Sequence, residues 1–316
     1  MKFFITITKC FLLSSIFCYS QNESIEDAFN YYNDQKYELA LHVFESFSED
    51  EECHYYSAEC SKKINSAIAK YKFYRHLDLF PNSFFRDNCH LSLAQIYYQE
   101  KDYRKAINHF LEINAQLEEE DMLNLAYSYF QLNFLDESNY LFSKLIDNKS
   151  HYSAVAHYYY AHIAYKQQHY KRALNSFNKL RHDEDFSSIV PYYIAQIYFF
   201  QKRYRDLISY SKLILDNIIP SRKSELHRLI AESNYKLGEF TNSIYHFEIY
   251  LSEVGDSETI DYLQIGHAYY SAGDYLSAIK YLEKASPVDE KSLQVIAYYL
   301  GATYLELEYK NYALNS

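Results

Sequence analysis

The sequence predicts an all-α fold, a solenoid of about eight helix-turn-helix repeats followed by an incomplete ninth. Three observations carry this. First, 316 residues contain only 5 Gly and 4 Pro, too few to make the many tight turns of a strand-rich fold. Second, 38 Tyr and 21 Phe with no Trp recur along the whole chain, as a structural role repeated many times would require. Third, small residues are followed twelve positions later by another small or modest one: Ala28/Ala40, Ala94/Ala106, Ala126/Ser138, Ala161/Ala173, Ala195/Leu207, Ala231/Ser243, Gly266/Ala278 and Gly301/Ala313. From Ala94 the first members step by 32, 35, 34, 36, 35 and 35 residues, the period of a unit of two antiparallel helices.

Residues 1–20 read as a secretory signal: Lys2 and Lys9 make a basic start, residues 11–17 are apolar, and Cys18, Tyr19 and Ser20 bracket a cleavage point that leaves Gln21 first. Bulky Phe17 before Cys18 argues against a lipid anchor. No later stretch approaches the roughly 20 apolar residues that span a bilayer. The mature chain is therefore expected to be exported and soluble in the compartment it reaches. Repeat units are expected near 21–49, 50–83, 84–117, 118–150, 151–186, 187–220, 221–256 and 257–290, with 291–316 incomplete. The unit at 50–83 departs from the pattern, because Ala58 and Ala67 stand nine apart, and a local bend is expected there. Leu207 and Ser211 replace the small and aromatic residues of their unit, so looser packing is expected. Ser316 lies one residue short of the aromatic expected four after Ala313, and no polar cap is visible. Either end-to-end self-association or further C-terminal repeats would follow.

The residue types have a packing reason. The first small residue lets helix A approach helix B of its own unit, and the second lets helix B approach the next helix A. Counting from the first anchor, +3 is aromatic in Tyr31, Tyr97, Tyr129, Tyr198, Tyr269 and Tyr304, and is expected to fill the space between units. Position +9 closes the turn into helix B with Tyr37, Tyr103, Tyr170, Tyr204, Phe240 and Tyr275, and +16 packs inward with Phe44, Phe110, Phe142, Phe177 and Phe247. These are L-G-x-x-Y and A-x-x-x-F elements, plainest at Gly266-His267-Ala268-Tyr269 and Gly301-Ala302-Thr303-Tyr304. On them the chain resembles tetratricopeptide-repeat proteins over nearly all of its mature length, which implies a right-handed α-α superhelix. Segments 54–58, 79–83 and 190–198 are also similar to the N-terminal third of long periplasmic repeat proteins of Gram-negative bacteria, of the Tol-Pal or cell-division-coordinator kind. That resemblance implies export and scaffolding.

The A helices of such a solenoid line its concave surface. Position +4, about 100° round the helix from +3, is Tyr32, Tyr98, Phe130, Tyr165, Phe199, Tyr235 and Tyr270. Beside it at +1 and +5 lie Gln95 and Gln99, His162 and Lys166, Gln196, Glu232 and Lys236, and His267 and Ser271. Two readings stand: the aromatics pack A helix on A helix, or they contact a peptide or protein segment laid in the groove. A glycan-binding module of the envelope is the alternative function, since tyrosines also stack on sugar rings.

Other chemistries find no support. There is no Gly-rich phosphate loop, nucleophile elbow or catalytic Cys/His pairing, so no enzymatic activity and no cofactor are expected. His157, His162 and His169 lack the i, i+4 spacing of a zinc helix, and no metal site is expected. A net charge of -11, or -13 after loss of Lys2 and Lys9, disfavours nucleic acid as a partner. Outside the signal three cysteines remain: Cys53 and Cys60 are too far apart on one helix to bridge, and a Cys60 to Cys89 bridge is left open against plain packing roles.

Overall fold

The computed structural model describes residues 23–146 and 151–315; the signal expected at 1–20 lies outside them. The described residues form eighteen helices and no strand. They divide into two compact units, one up to Tyr152 and one from Ser153.

The first unit contains four helix pairs: α1 (Ile25–Asn33) and α2 (Tyr37–Ser46), α3 (Glu51–Ile64) and α4 (Ser66–Leu79), α5 (Arg86–Gln99) and α6 (Tyr103–Leu111), α7 (Glu119–Gln131) and α8 (Leu135–Ile146). The second contains five: α9 (Ser153–Lys166) and α10 (Tyr170–Lys179), α11 (Val190–Phe200) and α12 (Tyr204–Ile214), α13 (Pro220–Lys236) and α14 (Phe240–Val254), α15 (Thr259–Ser271) and α16 (Tyr275–Leu282), α17 (Glu290–Glu306) and the short α18 (Lys310–Ala313). Within each unit consecutive helices pack together, and A helices also touch A helices, α3 on α5, α5 on α7, α11 on α13, α13 on α15 and α15 on α17.

Local chemistry starts these helices. Ser24 and Asp27 form a capping box on α1, Asp50 accepts from the Cys53 amide at α3, and Pro191 and Pro220 occupy first turns where their missing N–H costs nothing. The A-to-B turns share a device that spacing alone did not expose. The residue at +7 is left-handed in eight turns: Gln35, Lys101, Asn133, Gln168, Lys202 and Glu308 with φ of 58 to 62°, and Gly238 and Gly273 with φ of 77 and 82°. The next amide then donates back to the +3 carbonyl, as Lys36 does to Tyr31 and Asp102 to Tyr97, closing a Schellman-type turn.

The α3–α4 unit is the exception, and here the expected anchor pair is corrected. Ala67 is exposed, whereas Ala69 is fully buried opposite Ala58, and Phe73, four residues on, is fully buried like the other inward aromatics. The true spacing is eleven rather than nine or twelve. What is missing is the left-handed residue: Asn65 alone ends α3 and caps α4, its Oδ1 accepting from the Ala67 amide at 3.0 Å.

Elsewhere the packing logic holds, except at the last pair, where Gly301 and Ala313 both keep partial exposure. The anchors Ala28, Ala40, Ala94, Ala106, Ala126, Ala161, Ala173, Ala195, Ala231 and Ala278 have no exposed surface, and neither do Phe44, Phe142, Phe177 and Phe247. Gly266 is required by a close approach, since a Cβ there would lie 2.7 Å from Leu282 Cγ. Three of the six +3 rings reach the preceding unit: Tyr97 lies 3.1 Å from Tyr74 by its hydroxyl, Tyr269 donates to Glu248, both partners on the preceding B helix, and Tyr304 donates to Glu283 at the C-cap of α16. Leu207 and Ser211 are both fully buried, Ser211 without a partner for its hydroxyl. Cys53, Cys60 and Cys89 are buried free thiols, and the structure contains no Cys60 to Cys89 bridge.

Candidate functional site

The candidate residues lie along the A helices, where the 3.6-residue period returns +1, +4 and +5 to one side. All the +4 rings are half-buried. Six of the seven lean on the +9 ring that opens their own B helix, Phe130 having Leu135 there: Tyr32 on Tyr37 at 5.7 Å, Tyr98 on Tyr103 at 6.1 Å, Tyr165 on Tyr170 at 6.3 Å, Phe199 on Tyr204 at 5.8 Å, Tyr235 on Phe240 at 6.0 Å and Tyr270 on Tyr275 at 5.8 Å. Several also meet the next A helix. Tyr98 packs on Tyr127, which stacks on Phe130; Tyr165 packs on Tyr193, Tyr235 on His267 and Tyr270 on Tyr299. One edge of the ladder therefore welds helices while the other remains open.

The polar neighbours are joined into short chains between consecutive A helices. Tyr165 donates to Gln196 Oε1 at 3.0 Å, and Gln196 Nε2 donates to the Tyr192 hydroxyl at 3.0 Å. The Tyr235 hydroxyl lies 3.0 Å from His267 Nδ1. Glu232 sits 3.5 Å from Arg228, and burial raises its carboxyl above the usual range. His162 lies against Tyr193, and burial pushes its pKa down to about 4, keeping it neutral. Lys166 and Lys236 at +5 are exposed. The structure thus sets these residues in rows within each unit; it does not gather them into one pocket.

Three features of this face escaped the sequence reading. Lys62 occupies +4 in the α3–α4 unit, and its ammonium donates to Ser92 Oγ at 3.0 Å and Gln95 Oε1 at 2.8 Å, with burial depressing its pKa. Two buried aspartates stand at -5: Asp121 accepts from Gln95 Nε2 at 2.8 Å, and Asp261 from Arg228 Nε at 2.9 Å and Ser257 Oγ at 2.6 Å. The shared -5 offset was a usable signal. Two histidine pairs at -4 and +15 also recur: His90 Nδ1 is 3.1 Å from His109 Nδ1, and His227 Nδ1 is 2.9 Å from His246 Nδ1. One ring must donate and the other accept, and burial followed by the partner's charge pushes His109 and His246 down to about 4.

Among the described residues no group of three or more His, Cys, Asp or Glu is arranged to hold a metal ion, and no helix is long and apolar enough to cross a membrane.

No family model matches the chain, and a search of curated proteins gives no match. Solved structures do match. The C-terminal part of a TPR repeat-containing protein from Cytophaga hutchinsonii aligns with a TM-score of 0.55 at 16% identity, covering 71% of this chain and 91% of that one. A tetratricopeptide repeat protein from Parabacteroides merdae gives 0.46 at 14% identity, covering 82% and 99%, and PilW, a type IV pilus biogenesis factor, gives 0.48 at 20%, covering 68% and 100%. Helix pairs, buried small anchors, Schellman-type turns and the first of these likenesses agree that the chain has the tetratricopeptide-repeat fold.

Proposed function

We propose that the chain is a non-enzymatic interaction scaffold, exported to the periplasm or envelope, that holds peptide or protein segments along the aromatic face of its A helices. The observation that carries this reading is the half-open ladder of +4 rings flanked by amides, histidines and lysines. An extended segment gains apolar contact from the open ring edges and hydrogen bonds from the polar neighbours, the usual division of labour in peptide grooves. Tyr98, Phe130, Tyr165, Phe199, Tyr235 and Tyr270 would supply the first, and Gln95, His162, Lys166, Gln196, Glu232, Lys236 and His267 the second. The signal-like residues 1–20 and the resemblance to long periplasmic repeat proteins support export.

The test is a crosslinking pull-down from native envelope fractions, comparing the wild type with Tyr98→Ala and Tyr270→Ala. Specific proteins should be lost from capture by these variants while both remain folded. Unchanged capture removes the groove reading, and a mature N-terminus other than Gln21 removes the proposed signal.

A further inference from the structure

Charge is distributed unevenly along the chain. Residues 23–146 hold 22 Asp and Glu against 11 Lys and Arg, a net of -11. Residues 151–236 hold 13 Lys and Arg against 7 Asp and Glu, a net of +6, and residues 237–315 return to -8 with 12 acids against 4 bases.

The fold concentrates part of this block on one edge. Lys166, Lys171, Arg172, Lys202, Arg203 and Arg205 all sit in or beside the A-to-B turns of α9–α10 and α11–α12, and all are exposed. Arg203 is paired with Asp206 at 2.7 Å. The acidic run at Asp183, Glu184 and Asp185 follows α10 and lies at the opposite end of that repeat. The corresponding turns of the first unit are mixed or acidic: Asp34 and Glu38 stand with Lys36, Glu100 and Asp102 with Lys101, Arg104 and Lys105, and Asp136 and Glu137 with no base beside them.

Between the two basic turns lies an open cleft of about 580 Å3, lined by Gln168, His169, Lys171, Arg172, Asn175 and Gln201. Tyr170 also lines it and stacks on Phe200 at 5.9 Å and 14°; Phe200 is 49% exposed. The first turn of α10 opens here with no side-chain cap on its amides, adding the positive end of a helix dipole.

We propose that this edge is a second docking surface, separate from the A-helix face, for a short acidic peptide segment of a partner protein. Carboxylates would meet Lys171, Arg172, Lys202 and Arg205. An apolar side chain would rest on the Tyr170–Phe200 stack, and Gln168, Asn175 and Gln201 would hydrogen-bond the peptide backbone. The segment is short because the basic turns belong to neighbouring repeats whose helices are spaced by roughly 8–10 Å. A long polyanion such as nucleic acid would overrun this edge onto the acidic residues 237–315 of the same unit.

The test uses the full mature chain and a fluorescein-labelled seven-residue peptide of six glutamates around a central leucine, read by fluorescence polarisation. Binding should be saturable at low salt and weaken at high salt. The triple variant Lys171→Glu/Arg172→Glu/Arg205→Glu should weaken it at least tenfold. Lys280→Glu/Lys284→Glu, which changes net charge elsewhere in the same unit, and Tyr98→Ala, which alters the A-helix face, should each leave it within twofold. The three edge residues are exposed, so an unchanged melting temperature will show that the fold is intact. Three outcomes overturn the proposal: equal weakening by the two charge-reversal variants, tighter binding of a ten-nucleotide single strand than of the peptide, or a salt-sensitive dimer of the chain that the triple variant abolishes while the peptide stays silent.

Discussion

The two units build the same row of A helices with different chemistry. In the first, Lys62 interrupts the aromatic ladder, and a polar chain runs from Glu59 through Ser92 to Lys62, Gln95 and buried Asp121. In the second the ladder is unbroken from Tyr165 to Tyr270, and the buried charge is the Arg228–Asp261 pair. Both solutions rest on the same B-helix core of small anchors and inward phenylalanines. The core is therefore generic to the repeat, while the A-helix face is free to specialise.

The largest effects should ignore the difference between units. Phe73→Ala and Phe177→Ala each empty a fully buried site and should each cost about 3–5 kcal/mol in urea unfolding. A cost under about 1 kcal/mol in either would mean that its unit does not depend on the shared core.

The next effect should separate the units. Asp261→Asn removes the carboxylate facing Arg228, whose own side chain is 24% exposed; breaking a buried pair costs about 3–5 kcal/mol, and partial exposure of the arginine reduces this to about 2. Asp121→Asn should cost under about 1 kcal/mol, because an amide oxygen still accepts from Gln95. Equal costs would erase the contrast between a charge-paired and an amide-paired seam.

Acid should then affect both units, since each contains a hydrogen-bonded histidine pair. Free histidine titrates near 6.5, and burial holds His109 and His246 at about 4 in the fold. The unfolded chain binds more protons between these values. Stability from neutral pairs is thus fully present above pH 6.5 and is lost as pH falls toward 4. Melting temperature should drop by several degrees between pH 7.5 and 5.0, and His246→Phe should reduce that drop. A pH-independent melting temperature would show that the pairs carry no linkage.

The smallest effect concerns the turns. Gln168→Gly relieves a left-handed residue at φ 59° and should stabilise by up to about 1 kcal/mol, whereas Gly238→Ala at φ 77° should destabilise by a similar amount. The same sign for both in thermal melts would contradict the assignment of +7 as a turn requirement.

Much of the fold was legible in the sequence because helix packing reads small and bulky residues at fixed intervals. Ala94 and Ala106, or Ala161, Ala173 and Phe177, announce their burial by spacing alone. The α3–α4 unit was misread because a one-residue deletion falls in the turn. Ala67 and Ala69 are chemically identical there, and only burial in the core cluster that also holds Ala58 distinguishes them. The +7 turn residue was hidden for a related reason: six of the eight are not glycine, so their strained backbone leaves no mark in residue type.

For the candidate face, the sequence located the ladder but could not assign its partners. Whether Tyr235 points only into solvent or also bonds His267 depends on residues 32 positions apart meeting across two A helices. The charge of residues 151–236 was countable from the start, yet which of those cations share an edge depends on where each turn falls. The sequence alone determined the repeat, its anchors and its core, because these follow from local period. Only the tertiary structure decided which polar and charged groups confront one another, because neighbouring helices bring together residues that no local pattern links.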